Sequence, residues 1–501
     1  MSTLYPFEKA TPESVGIPSR NIVAFLERLE AKKVNMHGFM IVRSGKCVAE
    51  GYWAPFKEDE LHRLYSCSKS FTSTAIGILA GDGKIDINDP ICKYFPEYVP
   101  ENPHPYLAAL TIRDMLLMAT CYAQGSYEFT DPNWTETFFT KNTPSHPGGT
   151  IWHYDTSGTH TLAALVEKVS GQKLLDFLYD RVFQYMGGSR DMWCLNAPEG
   201  VSWGGAGVMA RLRDLARLGW LWVNNGRFEG RQLIPEWYVR EGSSRQIDNE
   251  LLGIHGRRNT TGYGYQVWVE PDGGFSFWGL ATQYMLAYRE KELMLVTTAD
   301  TLSRGADEEI VNEAFRDCIL KPLADGAIAE DPLAQAELSA KIDGLAAMLP
   351  PGENDSAMRA KIDGRTYVMN DNRMGIETVR FDFAPDGSDG VITWKNAQGE
   401  KCVRFGMGRY IEGRFPQWGY AYETIAQPSP YMYRSLNCGV WVEPHKLELT
   451  MFMEDVQCGL LTWKFAFVNE GGTVALMLCK VGENILNEYW GNCAGDAVPA
   501  K

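Results

Sequence analysis

The sequence predicts a mixed α/β (α+β) chain: a first domain with helices layered on an antiparallel sheet, then a C-terminal antiparallel β barrel or sandwich. Three observations carry this expectation. A chain of 501 residues is too long for one hydrophobic core. Its hydrophobic period changes repeatedly between helical and strand spacing over residues 1–325. Beyond the break Pro350-Pro351-Gly352-Glu353-Asn354-Asp355 the period is that of short strands almost throughout.

Taken in order, residues 21–33 carry Ile22, Val23, Phe25, Leu26 and Leu29 at helical spacing. Phe39-Met40-Ile41-Val42, a turn at Ser44-Gly45-Lys46, and residues 47–53 read as a β-hairpin. Leu64-Tyr65-Ser66-Cys67-Ser68-Lys69-Ser70-Phe71 opens a helix whose next apolar residues, Ala75, Ile76, Ile78, Leu79 and Ala80, imply burial nearly all round; Gly81-Asp82-Gly83 ends it. Residues 84–98 form a connector, and residues 111–118 a helix with Thr111 as N-cap and Asp114 three residues on. Residues 121–150 are loop-like and lead through Trp152-His153-Tyr154-Asp155-Thr156 to a helix closed at Ser170-Gly171. Residues 174–185 and 208–223 are expected as helices, the second opened by Gly204-Gly205-Ala206-Gly207. Strands follow at 263–269, 275–287 and 293–298, and a helix at 308–323 closes the domain.

Residues 326–364 are expected as a linker with a helix near 333–349, and 365–501 as the β domain. Its expected strands are 378–383, 390–394, 402–405, 420–422, 441–443, 446–453, 460–467 and 473–478.

The composition, 45% hydrophobic and 22% charged, is that of a globular protein, and the net charge of −15 argues against nucleic acid and anionic membrane surfaces as partners. The N-terminus lacks the basic start and apolar run of a signal peptide, and no apolar run is long enough to span a bilayer, so a cytoplasmic location is expected. The eleven Cys have no C-x-x-C pairing, which suggests neither a disulfide framework nor a zinc site, and no cofactor is implied. A small-molecule substrate is the expected partner, and a homo-oligomer stays open.

The chemistry is expected at Ser66 and Lys69. Residues three apart share a helix face, so on the first turn the amine can reach the hydroxyl. An amine serves as base for a serine only when desolvation or a nearby cation keeps it neutral, and the buried helix supplies the desolvation. S-x-x-K alone is a weak pattern, equally met by a capping Ser beside a solvated Lys. Cys67 is a competing thiol, placed on a different helical face.

Downstream order strengthens the reading. Ser66-Cys67-Ser68-Lys69, then Tyr154-Asp155-Thr156, then Phe277-Trp278-Gly279 resemble, in order, the S-x-x-K, Tyr-x-Asn and Lys-Thr-Gly motifs of the penicillin-recognising serine hydrolases: class C β-lactamases, DD-peptidases, family VIII carboxylesterases and nylon-oligomer hydrolases. The likeness spans roughly residues 10–325 and implies the β-lactamase/transpeptidase-like fold; the tail resembles the lipocalin-like barrel of some relatives. The resemblance implies Ser66 as acylated nucleophile, Lys69 as its base, Tyr154 as proton relay, and the backbone N–H groups of Ser66 and Leu280 as the oxyanion hole. Thr156, Asp155, Trp278 and Gly279 are implied at the substrate, with Trp152 and Trp203 as further candidates to line the cleft.

Two departures narrow the expectation. Phe277 stands where the family has a cationic Lys, removing the charge that receives a substrate carboxylate, and Thr156 replaces an amide. An esterase or amidase for small, fairly apolar substrates is the leading expectation. A β-lactamase or D-amino-acid peptidase is the alternative, and a non-catalytic binding or sensor protein of the same fold a third. Asp155 is either an acceptor for a substrate ammonium or a loop acid that faces water or caps the following helix.

Overall fold

Alternation along the strands explains the first layer arrangement. In the strand Met36–Arg43, Phe39 and Ile41 point to one side and Met40 and Val42 to the other, and all are buried. Such a strand needs helices on both faces of its sheet. The structure, a computed structural model, describes residues 6–249, 261–303, 309–416, 432–483 and 485–498. Two units are distinguished, the first made mainly of residues up to Ala299 and from 309 to Leu345, the second mainly of residues from Ala346 onward.

The sheet of the first unit has seven strands in the order Glu8–Lys9, Lys46–Tyr52, Met36–Arg43, Leu293–Ala299, Gln283–Tyr288, Phe275–Gly279 and Trp268–Val269. All pairings are antiparallel except that of Glu8–Lys9 with Lys46–Tyr52. One face packs Phe39, Ile41, Leu286 and Leu295 against Ile22, Phe25, Leu26, Val311, Phe315 and Leu338 from the helices Ser19–Ala31, Glu309–Phe315 and Pro332–Asp343. The other packs Met40, Val42, Met285 and Val296 against Phe71, Ile76, Leu162, Leu215 and Leu218 from Ser68–Gly81, Thr156–Ser170 and Leu212–Val223.

Most first-unit elements lie where their periodicity puts them. The Thr111 cap is a full capping box with Asp114 on the helix Ile112–Leu116. Several expectations change. Val208–Ala210 is a strand, not the start of a helix, because it pairs with His62–Arg63 and Trp193–Cys194; the helix begins at Leu212. The expected strand 275–287 is two strands folded on each other, Gly279 facing Gln283 across a turn at Leu280–Thr282. Of 263–269 only Trp268–Val269 is a strand. The stretch 174–185 is an α-helix, Leu174–Leu178, continued by a π-helical turn, Tyr179–Phe183.

The second unit is a β barrel. Its strands run in neighbour order Gly399–Met407, Asp389–Asn396, Thr378–Phe383, Thr366–Met369, Gly491–Ala497, Thr473–Gly482, Cys458–Val468, Lys446–Glu454, Tyr433–Glu443 and Ile411–Phe415. Gly399–Met407 also meets Tyr433–Glu443 at Gly406–Cys438 and Met407–Gly439, closing nine strands with Ile411–Phe415 as an added edge. Inward residues are large and apolar, with Trp394 and Trp463 5.1 Å apart between ring centroids. The strands Thr366–Met369, Ile411–Phe415 and Gly491–Ala497 were not expected: the last is built from small and polar residues with no apolar alternation. The expected strand 420–422 and the first residue of the expected helix 308–323 lie outside the described residues.

Candidate active site

The strand His62–Arg63 leads through a 3-10 turn, Tyr65–Cys67, directly into the helix Ser68–Gly81. Tyr65 holds φ at 46°, a left-handed conformation that costs a residue with a Cβ about 1–3 kcal/mol. The bend leaves Ser66 half-buried while its neighbours Cys67, Ser68 and Lys69 are buried. The Cys67 thiol donates to the Gln283 carbonyl at 3.1 Å, so it is held in the core.

The Lys69 amine is 1% exposed and has three oxygen neighbours: Ser66 Oγ at 3.1 Å, Thr156 Oγ1 at 3.2 Å and the Gly205 carbonyl at 2.7 Å. Burial pushes its proton affinity down to about 7, against the upward pull of Asp155 and Cys67. A neutral amine has two N–H donors and one lone pair. Gly205 O can only accept and Thr156 Oγ1 is free to accept, which directs the lone pair to the Ser66 hydroxyl.

Gly204 and Gly205 make that close approach possible. A Cβ on Gly205 would fall 2.6 Å from the Thr156 methyl, and one on Gly204 2.3 Å from Thr72 Oγ1. Thr72 Oγ1 in turn donates to Gly204 O at 3.0 Å. The sequence reading took these glycines for a helix start and missed their part in holding Lys69; the adjacent pair of glycines before a strand was the available signal.

Tyr154 lies on the other side of the pair. The Lys69 Nζ stands 4.8 Å from its ring centroid, and its hydroxyl is hydrogen-bonded with the Ser66 side chain. Burial pushes its proton affinity well up, the Ser66 bond opposing, so at neutral pH it is a phenol. Its ring stacks on Trp268 at 5.7 Å, within an aromatic group that includes Trp152, Tyr263 and Trp278. Trp203 belongs to a separate cluster with Trp134 and Phe129 and bonds Tyr127 through its N–H at 2.8 Å.

Asp155 is 2% exposed and caps the helix Thr156–Ser170. Its Oδ1 accepts the Ser157 N–H at 2.8 Å and the Ser157 O–H at 2.5 Å. Of the sequence readings of this residue, the structure has the helix cap, with the carboxyl buried and not facing water. Thr156 bonds Lys69 and so helps to orient its amine.

The Phe275–Gly279 strand meets the Tyr65–Cys67 turn at its Gly279 end. A Cβ on Gly279 would lie 2.3 Å from Leu64 O and 3.2 Å from Cys67 N, so only glycine fits there. The following turn turns back through Ala281 at φ 63° and Thr282 at φ 70°. Gln283 Nε2 donates to the carbonyls of Leu280, Ala281 and Ala299 at 3.3, 3.2 and 2.6 Å, and Thr297 Oγ1 donates to Thr282 O at 2.9 Å. This staple, also missed in the sequence, fixes the Leu280 peptide in the turn that follows Gly279. Phe277 is fully buried against Trp222, 5.6 Å between ring centroids, and no cation occupies its position.

Farther along, Glu199 joins the helix Trp134–Thr140 to the helix Thr156–Ser170. It accepts from Trp134 N, Thr135 N and Thr135 Oγ1 at 3.2, 3.0 and 2.9 Å and lies 2.8 Å from His160 Nε2. Burial raises its proton affinity, but the His160 contact and the backbone donors outweigh it and hold the carboxyl at about 2.

The Beta-lactamase family profile matches residues 25–316. Among curated proteins, 28% identity over 232 residues links the chain to 6-aminohexanoate-dimer hydrolase of Paenarthrobacter ureafaciens, covering 42% of this chain and 58% of that relative's length. The chain therefore spans less than two thirds of that relative. Among solved structures, a penicillin-binding protein homolog from Caulobacter crescentus superimposes with a TM-score of 0.50 at 16% identity, over 61% of this chain and 99% of the other. SurE does so with a TM-score of 0.50 at 14% identity, over 86% of this chain and 97% of the other. At these identities the structural likeness is one of fold. The family match takes in more than half of the 501 residues, and with them the Ser66, Lys69 and Tyr154 cluster: the chain belongs to the beta-lactamase family.

Proposed function

We propose that the protein is a serine hydrolase that cleaves small ester or amide substrates through an acyl-enzyme on Ser66. The observation that carries this is the buried Lys69 amine, poised at about 7 and 3.1 Å from Ser66 Oγ with its two other contacts taken by acceptors. Ser66 Oγ attacks the substrate carbonyl carbon as its proton passes to Lys69 Nζ. The oxyanion of the tetrahedral intermediate is held by the N–H groups of Ser66 and Leu280. The proton then moves from Lys69 through the Tyr154 hydroxyl to the leaving oxygen or nitrogen as the C–O or C–N bond breaks. Water repeats the sequence in reverse on the acyl-enzyme and frees Ser66. Tyr154 is the relay and Lys69 the base, because the buried phenol keeps its proton at neutral pH whereas the amine gives its proton up as pH rises through about 7.

The aromatic group of Trp152, Tyr154, Trp268 and Trp278 favours an apolar substrate face next to Ser66. Gly279 sets the edge of that face. With Phe277 in the core, nothing at that position draws a substrate carboxylate, which favours esters and linear amides over β-lactams. The relative that hydrolyses an aminohexanoate dimer supports including linear amides. A panel of short acyl esters, linear amides, D-amino-acid amides and a chromogenic cephalosporin tests the reading: turnover of the first two that is lost in Ser66→Ala supports it, and turnover of the cephalosporin alone contradicts it.

A further inference from the structure

We propose that Gln266 is a positioning residue for Tyr154: its buried side-chain amide ties together the segments that flank the phenol, and so keeps the relay aligned with Ser66 as the leaving group departs. The inference rests on the serine hydrolase reading. Gln266 acts through the elements it binds, not on the reacting atoms.

Gln266 is 2% exposed and holds φ at 57°, a left-handed conformation that interrupts the strand expected over 263–269. A residue with a Cβ keeps such a conformation only where its surroundings fix it, and here each of its polar groups is bonded. The backbone N–H donates to Leu116 O at 2.9 Å, and the backbone carbonyl accepts from Ser70 Oγ at 2.9 Å. In the side chain, Nε2 donates to Met115 O and Leu116 O at 2.9 and 3.2 Å, and Oε1 accepts from Thr159 Oγ1 at 2.7 Å. A buried amide satisfied at both ends fixes its neighbours in one arrangement, which apolar contact alone does less strictly.

Each partner leads to the catalytic cluster. Ser70 follows Lys69 on the helix Ser68–Gly81, and Ser73 Oγ, one turn on, donates to Tyr265 O at 2.7 Å, so this segment is pinned twice to the nucleophile's helix. Thr159 lies one turn beyond Thr156, on the helix into which Tyr154 leads. Two residues past Leu116, Met118 O accepts the His153 N–H at 2.7 Å, and Met118 packs with Trp152, Tyr263 and Trp268. Two residues past Gln266, Trp268 stacks on the Tyr154 ring. The helix after Tyr154, the chain that bonds His153 and the ring stacked on the phenol are thus joined at Gln266.

Loss of the side-chain amide leaves the backbone bond to Ser70 in place and frees Thr159, Met115 and Leu116. It therefore loosens the supports of Tyr154 more than the Ser66–Lys69 pair. A proton relay matters in proportion to the leaving group's need for a proton. Ethoxide takes one through Tyr154 as its C–O bond breaks. p-Nitrophenolate leaves as the anion, and so does fluoride when Ser66 Oγ bonds the phosphorus of a fluorophosphonate and passes its proton to Lys69.

The test measures kcat/KM on the full chain for ethyl butyrate and p-nitrophenyl butyrate, which leave the same acyl group on Ser66, together with the rate of Ser66 labelling by a fluorophosphonate. Gln266→Met fills the space without the hydrogen bonds. Its kcat/KM is expected to fall about tenfold further for the ethyl ester than for the p-nitrophenyl ester, with labelling within about twofold of the wild type. Thr159→Val cuts the same tie from the other side and should show the same selective loss, and the double variant should lose no more than Gln266→Met alone. If Gln266→Met folds poorly, Thr159→Val carries the comparison. An equal loss on both esters, as expected of an amide that serves stability alone, overturns the proposal; so does no loss, and so do losses that simply add in the double variant. Absence of label on Ser66 in the wild type overturns the hydrolase reading itself, and the proposal with it.

Discussion

At the scale of single residues, Lys69 is a buried amine held far below its ordinary proton affinity. In the unfolded chain its amine binds a proton up to about 10.5, whereas in the fold it releases it near 7. Between those values the unfolded state holds one more proton, so stability rises with pH there, and the full cost of burying the lysine is felt below pH 7. Lys69→Met is therefore expected to abolish activity and to stabilise the protein most at low pH. Its advantage over the wild type shrinks by about 2–3 kcal/mol between pH 6 and pH 9, read by denaturant unfolding at each pH. Activity has the matching sign: the amine accepts a proton only above about 7, so kcat/KM rises through that value as pH increases. A profile flat from pH 5 to pH 8 contradicts this assignment of the base.

At the scale of elements, the site depends on two close approaches and one staple. Gly279→Ala forces a Cβ to within 2.3 Å of Leu64 O, a backbone atom that cannot rotate away. The variant is expected to lose most of its activity and about 2–3 kcal/mol of stability, measured by esterase assay and thermal unfolding. Gln283→Ala frees the carbonyls of Leu280 and Ala281 and lets the turn shift; kcat is expected to fall about 10- to 100-fold with KM little changed. Glu199→Gln removes a carboxylate held far below its usual value. Its contribution to the wild type is present above about 4.5 and is lost as pH falls toward 2, so the variant is expected to be less stable by about 2 kcal/mol at neutral pH and to equal the wild type near pH 2.

These same elements show what was legible in the sequence. The Ser66–Lys69 pair was readable because helical spacing puts residues three apart together, and the Met36–Arg43 hairpin because alternation and a Ser44-Gly45 turn are local signals. The two-strand fold of 275–288 was not readable: Gln283–Tyr288 continues the apolar run, and the break comes from contact with Leu64 and from a side-chain staple, neither of which is local. The strand Val208–Ala210 was hidden for the same reason, its partners being some 15 and 146 residues away in the chain. Asp155 could be read either way, since capping and ligand binding ask for the same residue type.

At the scale of the whole molecule, each unit has its own core. The sheet of the first is buried on both faces, and the barrel of the second is filled by rings such as Trp394, Trp463, Phe381 and Phe465. Trp463→Ala is expected to cost the second unit about 3–5 kcal/mol, read by hydrogen exchange resolved strand by strand, with protection falling in Cys458–Val468 and its neighbours. No described helix is long and apolar enough to cross a membrane. What the molecule is organised to do is therefore best asked at Ser66. The most direct measurement is intact-protein mass spectrometry of the full chain quenched during turnover of an activated short-chain ester. Wild type should show a single added acyl group that maps to Ser66, and Ser66→Ala should show none. An acyl group on another residue, or one that persists in Ser66→Ala, would contradict the account.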